Sequence, residues 1–199
     1  MGRVVWWVRW WVALAVALGV GSVGRTAAAE PATAGVLQLG AGAQYGVSVV
    51  RPDKPNPWGL GLGLGLGYTL PSGFYAGGQF EYFFGEQEST FLGGGDSSVP
   101  ATEEANIWDV FAELGYDLGL GDQFVLRGKG DLGFASYSSE FCVESNPCEE
   151  ESEINLLIGP GAAFLYLGKS FSLTLEARYD FILTRPSREG LIFALGIGF

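Results

Sequence analysis

The 199-residue chain is 48 % apolar and 17 % charged, with 32 glycines, no histidine and a formal charge of −11. Apolar content this high excludes disorder, and glycine this frequent excludes a helical fold, at about 1 kcal/mol per residue relative to alanine. The acidic balance excludes nucleic-acid binding, which needs a basic footprint, and the glycines lack the three-residue period of collagen.

Arg3 and Arg9 precede the apolar run 10–20, which leads to Ala27-Ala28-Ala29. A positive start, an apolar stretch and an A-x-A site form a Sec-type secretory signal peptide, cleaved after Ala29. The apolar run is shorter than the roughly 20 residues a spanning helix needs, so a retained anchor is not expected. The signal spans residues 1–29, residues 30–34 form a short N-terminal segment, and residues 35–199 form one domain. Cleavage removes Arg3, Arg9 and Arg25 but no acidic residue, making the mature chain more acidic.

Eight alternating segments follow. The first, Gly35 to Val50, sets Leu37, Leu39, Tyr45, Val47 and Val49 on one face and ends at a proline-rich break, residues 51–57. The second, Trp58 to Leu70, alternates leucine with glycine and turns through Pro71-Ser72-Gly73 into the third, Phe74 to Phe84. A polar stretch, Gly85 to Ala105, reads as a long loop. In the fourth segment, Asn106 to Leu118, Trp108, Val110, Leu114 and Tyr116 alternate with Asp109, Phe111, Glu113 and Asp117. Gly119 to Asp122 reads as its turn. The fifth, Gln123 to Tyr137, opposes Phe124, Leu126, Leu132 and Phe134 to Arg127, Lys129 and Asp131. The acidic stretch Ser138 to Glu153 reads as a second long loop before the sixth segment, Ile154 to Leu167. A Gly168-Lys169 turn opens the seventh, Ser170 to Ile182, where Phe171, Leu173, Leu175 and Phe181 oppose Glu176, Arg178 and Asp180. The eighth closes on Leu191, Phe193, Leu195, Ile197 and Phe199, with Ala194, Gly196 and Gly198 on its bare face.

In a strand, parity is facing. Each segment meets the roughly 9–11 residues a tilted membrane strand requires. Even strand number, with short turns at one end and longer loops at the other, predicts an all-β fold, an eight-stranded antiparallel up-and-down transmembrane β-barrel. Three features place the greasy parity outside. It carries aromatics at segment ends (Trp58, Tyr68, Phe84, Trp108, Tyr116, Phe124, Phe171 and Phe181), as interfacial girdles do. The opposite parity is largely glycine, which suits a cramped lumen. Charges of that parity come in both signs: Glu81, Asp109, Glu113, Asp117, Asp131, Glu176 and Asp180 with Arg127, Lys129 and Arg178. The turns predict Gly63 opposite Glu81, Gly65 opposite Gln79, Glu113 opposite Arg127 or Lys129, and Gly161 opposite Glu176.

On these residues the chain resembles the small outer-membrane β-barrel family, which includes the membrane domains of OmpA and OmpX. The resemblance implies residence in the bacterial outer membrane, with lipid and lipopolysaccharide as surroundings. It also implies that Leu191, Phe193, Leu195, Ile197 and Phe199 form the terminal signal read by the barrel-assembly machinery. No peptidoglycan-binding domain is expected after Phe199.

The absence of histidine removes Ser-His and Cys-His nucleophile pairs and His-ligated metals. The lumen carboxylates have a structural explanation as paired buried charge, so neither enzyme activity nor a cofactor is expected. Cys142 and Cys148, close together in an exported chain, read as a disulfide. The acidic loops, with Glu86, Glu88, Asp96, Glu103 and Glu104 in one and Glu144, Glu149, Glu150, Glu151 and Glu153 in the other, suit divalent cations bridging to lipopolysaccharide. A structural, adhesive or partner-binding role through these loops is the leading expectation. A narrow channel for small solutes or apolar molecules is the alternative, and the pattern carries no information on oligomeric state.

Overall fold

Period-two alternation yields strands wherever one face meets lipid and the other a packed lumen, and the computed structural model contains little else. It describes residues 32–49, 55–92, 99–143, 148–184 and 187–199; the signal segment read at 1–29 lies outside them. The strands are β1 (Leu37–Ser48), β2 (Gly59–Thr69), β3 (Phe74–Phe83), β4 (Gln87–Leu92), β5 (Val99–Gly119), β6 (Phe124–Val143), β7 (Glu149–Leu167), β8 (Ser172–Ile182) and β9 (Arg188–Gly198). Each pairs antiparallel with its neighbours in the order β3-β2-β1-β9-β8-β7-β6-β5-β4. Pairing of β3 with β5 closes the ring. The ring has eight positions, because β3 and β4 share one of them.

β4 continues β3 along β5 after a bulge. Phe83 pairs with Ile107 and Gln87 with Glu104, so three residues oppose two. Gly85 carries the distortion at φ +65°, where a Cβ would lie 1.6 Å from the Ala105 carbonyl oxygen. Such an insertion switches which parity faces inward.

The two stretches read as long loops are therefore largely strand. β5 has 21 residues, β6 has 20 and β7 has 19, whereas β1, β2, β8 and β9 have 11 or 12. At about 3.4 Å per residue, 21 residues reach roughly 70 Å along the strand, far more than a band about 25 Å tall requires. The surplus of β4 to β7 forms a four-stranded sheet beyond the barrel body, at the end opposite the short turns. Polar and acidic residues dominate these stretches, which carry no sustained alternation of apolar residues to announce them.

Leucines at 37, 39, 60, 62, 64, 66, 114, 132 and 195 all lie exposed on the outer wall. Phe74, Tyr116, Phe124, Tyr166 and Phe171 form a girdle at the turn end, with Phe74 edge-on to Tyr116 and Phe124 in contact with Tyr166. At the other end Phe80 meets Trp108 and Tyr179 meets Phe181. The apolar parity is the outer one.

Register agrees with expectation at the first turn, where Gly63 faces Glu81 and Gly65 faces Gln79. At two other turns it differs by two or more residues. Glu113 lies opposite Asp131, and Arg127 opposite Asp117, because Leu120 and Phe124 close the hairpin around Gly121 at φ +108°. Gly161 lies opposite Arg178, since Gly168 bonds to Phe171 and the turn falls one residue later than read. The spatial rule survives the slip: Gly115 still faces Lys129, and Gly161 still leaves room for Arg178.

Candidate functional site

The lumen is layered. At the turn end, Thr33 of the N-terminal segment donates to Asp117 Oδ2 (2.7 Å), as does Thr69 (2.9 Å). Arg127 clamps the same carboxylate through Nε (2.7 Å) and Nη2 (2.9 Å) and stacks on the Tyr75 ring, 3.3 Å from its centre. Paired, bidentate geometry is what allows such charges to be buried.

The middle layer gathers the remaining charged residues of the inward parity. Lys129 Nζ bonds Glu113, lies 2.8 Å from Glu176 Oε1, and lies 3.7 Å from Asp131 Oδ2. Arg178, wholly buried, forks onto Glu81 and reaches Asp180 through Nε (2.9 Å). Tyr75 donates to Glu113 Oε2 (2.7 Å), and Gln79 donates to Glu81. Thus Glu81, Glu113, Asp117, Asp131, Glu176 and Asp180 each lie beside a cation, Asp131 at the longest distance. Asp109 and Asp131 are buried and accept no hydrogen bond from the described residues. Seven carboxylates face three cationic side chains here.

Beyond the charges, the lumen is lined by apolar side chains. Trp58, Phe83, Ile107, Phe111, Tyr137, Leu157, Ile182 and Ile192 form one buried cluster drawn from strands around the ring. Trp58 packs edge-on against Phe83 at 5.3 Å. Its parity alone assigns it to the outer girdle, and the structure corrects this. Gly59, at φ +40°, breaks the alternation and turns the indole inward. There Gly46 and Gly190 form its slot, since a Cβ at either position would lie 2.5 Å from a Trp58 atom. Trp58, Phe83 and Phe111 pack into this cluster at the end of the barrel opposite the short turns.

A cavity of about 110 Å³ remains below this plug, between Gln38 and Gln44 on one wall and Glu113, Lys129 and Glu176 on the other. Gln44 is buried, and its Nε2 has no partner among the described residues. Sequence reasoning passed over Gln38, Gln44, Thr69 and Tyr75. Their inward parity was readable, but attention to charge left neutral polar residues aside.

The protruding sheet carries a different chemistry. On its outer face, Trp108, Ser136 and Ile154 form one cross-strand row, and Asn106, Ser138 and Ser152 the next. Then come Glu104, Glu140 and Glu150, all exposed. Rings give way to hydroxyls and then to carboxylates, which marks where the membrane ends. Glu88 pairs with Glu103 on the opposite face, with Phe141 and Glu149 beyond. Like charges directly opposite are destabilising. Cys142 and Cys148 form a disulfide at the β6–β7 tip. Asp96 and Glu144, read with the acidic loops, lie outside the described residues. Leu191, Phe193, Leu195, Ile197 and Phe199 all point outward on the closing strand, between β8 and β1.

The family described as outer membrane protein beta-barrel domain matches residues 13–198. Among solved structures, Ail of Yersinia pestis in complex with the heparin analogue sucrose octasulfate is similar at 16 % identity and a TM-score of 0.53, covering 81 % of this chain and 95 % of that one. Neisserial surface protein A matches at 11 % identity and 0.53, covering 81 % and 94 %. A major outer membrane protein from Thermus thermophilus matches at 12 % identity and 0.54, covering 82 % and 99 %. No curated protein sequence matches this chain.

Proposed function

The chain belongs to the outer membrane protein β-barrel family of the bacterial outer membrane, and from that premise we propose that it is a non-enzymatic surface protein whose acidic sheet engages positively charged partners. The observation that carries this reading is the row Glu104–Glu140–Glu150, set beyond the girdle on a sheet the barrel does not need for closure. Carboxylates at adjacent cross-strand positions repel one another, and a cationic partner relieves that repulsion. Divalent cations that bridge the row to lipopolysaccharide phosphates are one such partner, and a basic protein surface is another. Ail was solved with a polyanion. A polyanion does not suit this chain, whose outer sheet would repel it.

The test is retention of the refolded barrel, held in lipid nanodiscs, on polylysine-coated and on heparin-coated surfaces across a salt series. Binding to polylysine alone, weakened at least tenfold in a Glu104→Gln, Glu140→Gln, Glu150→Gln variant, supports the reading. Equal binding by the variant refutes it.

The channel alternative is disfavoured by the apolar cluster around Trp58 and Phe83. Recordings in planar bilayers are expected to be free of conductance steps. The outward row ending at Phe199 is read as the assembly signal. Phe199→Ala is expected to slow assembly by the cell's machinery while leaving spontaneous refolding into detergent unchanged.

A further inference from the structure

The inward glycines of this barrel do two different jobs. Gly46 and Gly190 make room for Trp58, and Gly67 and Gly77 make room for Tyr75, since a Cβ at any of the four would overlap the aromatic side chain. At Gly40, Gly63, Gly65 and Gly196 the same Cβ would meet nothing nearer than 3.4 Å, which is ordinary contact. Side chains would fit there, and in an eight-stranded barrel side chains normally fill the interior. These four positions carry none, and all four line the cavity of about 110 Å³. That space suffices for several waters or for one small solute. Exposure along its walls falls with distance from the short turns. On β1, Gln38, Gly40 and Gly42 are half-buried and Gln44 is buried; on β8, Ser172 and Thr174 are half-buried and Glu176 is buried. Short turns face the periplasm in barrels of this kind, so the cavity faces that side. Gln44, 4 % exposed, lines its inner part with an amide nitrogen that has no partner among the described residues.

We propose that this cavity is a binding site for a small neutral polyol that enters from the periplasmic side. The lining chemistry selects that class. Gln44 supplies an amide, Ser172 and Thr174 supply hydroxyls, and Glu113 and Glu176 supply carboxylate oxygens. A hydroxyl group both donates and accepts, so a single polyol accepts from the Gln44 amide and donates to Glu176 or Thr174. An anion would face the Glu113 and Glu176 carboxylates. A cation would find both already held by the Lys129 ammonium. An apolar solute would leave the Gln44 amide without a partner, and a buried donor left unsatisfied is costly.

The experiment is NMR titration of the refolded, isotope-labelled mature barrel in lipid nanodiscs with xylitol, and separately with sodium succinate. Gel mobility without boiling verifies that each variant is folded. Xylitol is expected to give saturable shifts at the Gln44 side-chain amide and at the backbone amides of Gly40, Gly65 and Gly196, and succinate none. Gln44→Leu should weaken binding about fivefold, the factor that corresponds to one lost hydrogen bond. Gly65→Val fills the cavity and should abolish binding, with Gly196→Val in its place if that variant does not fold. The Glu140→Gln, Glu150→Gln pair on the outer sheet should leave it unchanged. An absence of saturable xylitol shifts overturns the proposal and leaves the cavity to water. Shifts that persist in the cavity-filled variant, or that succinate reproduces, overturn it as well.

Discussion

Truncation of Trp58 to alanine tests whether the barrel is sealed and braced by its apolar cluster. The side chain is wholly buried. A tryptophan buries about 150–250 Å², which at about 25 cal/mol per Å² corresponds to about 4–6 kcal/mol. Its Nε1 has no partner among the described residues, and a buried unsatisfied donor costs about 1–3 kcal/mol, which the truncation also removes. The net loss expected for Trp58→Ala is therefore about 3 kcal/mol, at the low end of the range for large-to-small core changes. The void cannot collapse easily, because Gly46 and Gly190 beside it belong to hydrogen-bonded strands. Trp58→Phe keeps an edge-on ring against Phe83 and deletes the orphaned donor, so its expected cost is about 1 kcal/mol or less. Urea unfolding of the refolded barrel in vesicles, followed by gel mobility, measures both. A loss below about 1 kcal/mol for Trp58→Ala, or equal losses for the two variants, would refute the reasoning.

Arg178→Met strands Glu81 and Asp180 in the lumen, and removing one partner of a buried ion pair costs about 3–5 kcal/mol; the same urea assay reads it. Gly85→Ala forces a side chain into a left-handed position against the Ala105 carbonyl. Strain of about 1–3 kcal/mol is expected, seen as faster amide exchange in β4 with the barrel body still protected. Cys142→Ser opens a small loop worth about 2 kcal/mol in loop entropy, but the loop caps a hairpin beyond the barrel. Exchange should therefore rise only over residues 138–153, with the global unfolding midpoint unmoved.

The body of the barrel was legible because lipid imposes a local rule. Every residue of Leu60, Leu62, Leu64 and Leu66 meets acyl chains while every intervening glycine meets the lumen, so strand, facing and even strand number can be read two residues at a time. The extension of β4 to β7 was not legible, because Glu104, Glu140 and Glu150 have water on their side of the sheet and no rule of alternation applies. Turn chemistry located hairpins without their register: the first turn was read correctly, whereas those at Gly121 and Gly168 were each misplaced along the chain. The lumen residues were identifiable by parity, but their partners were not, since a slip of two residues preserves facing and changes every pair.

Trp58 shows where local reading ends. Its even parity says outward, and one glycine at positive φ sends it inward to a slot made by Gly46 and Gly190, on two other strands. The residues by themselves determined a lipid-facing, eight-position barrel, because strand and facing follow from neighbours one or two residues apart. Only closure of the ring decided that Trp58 packs inside it and that Lys129 stands among three carboxylates. Those outcomes depend on which strands meet, and at what height, around a lumen no segment encloses alone.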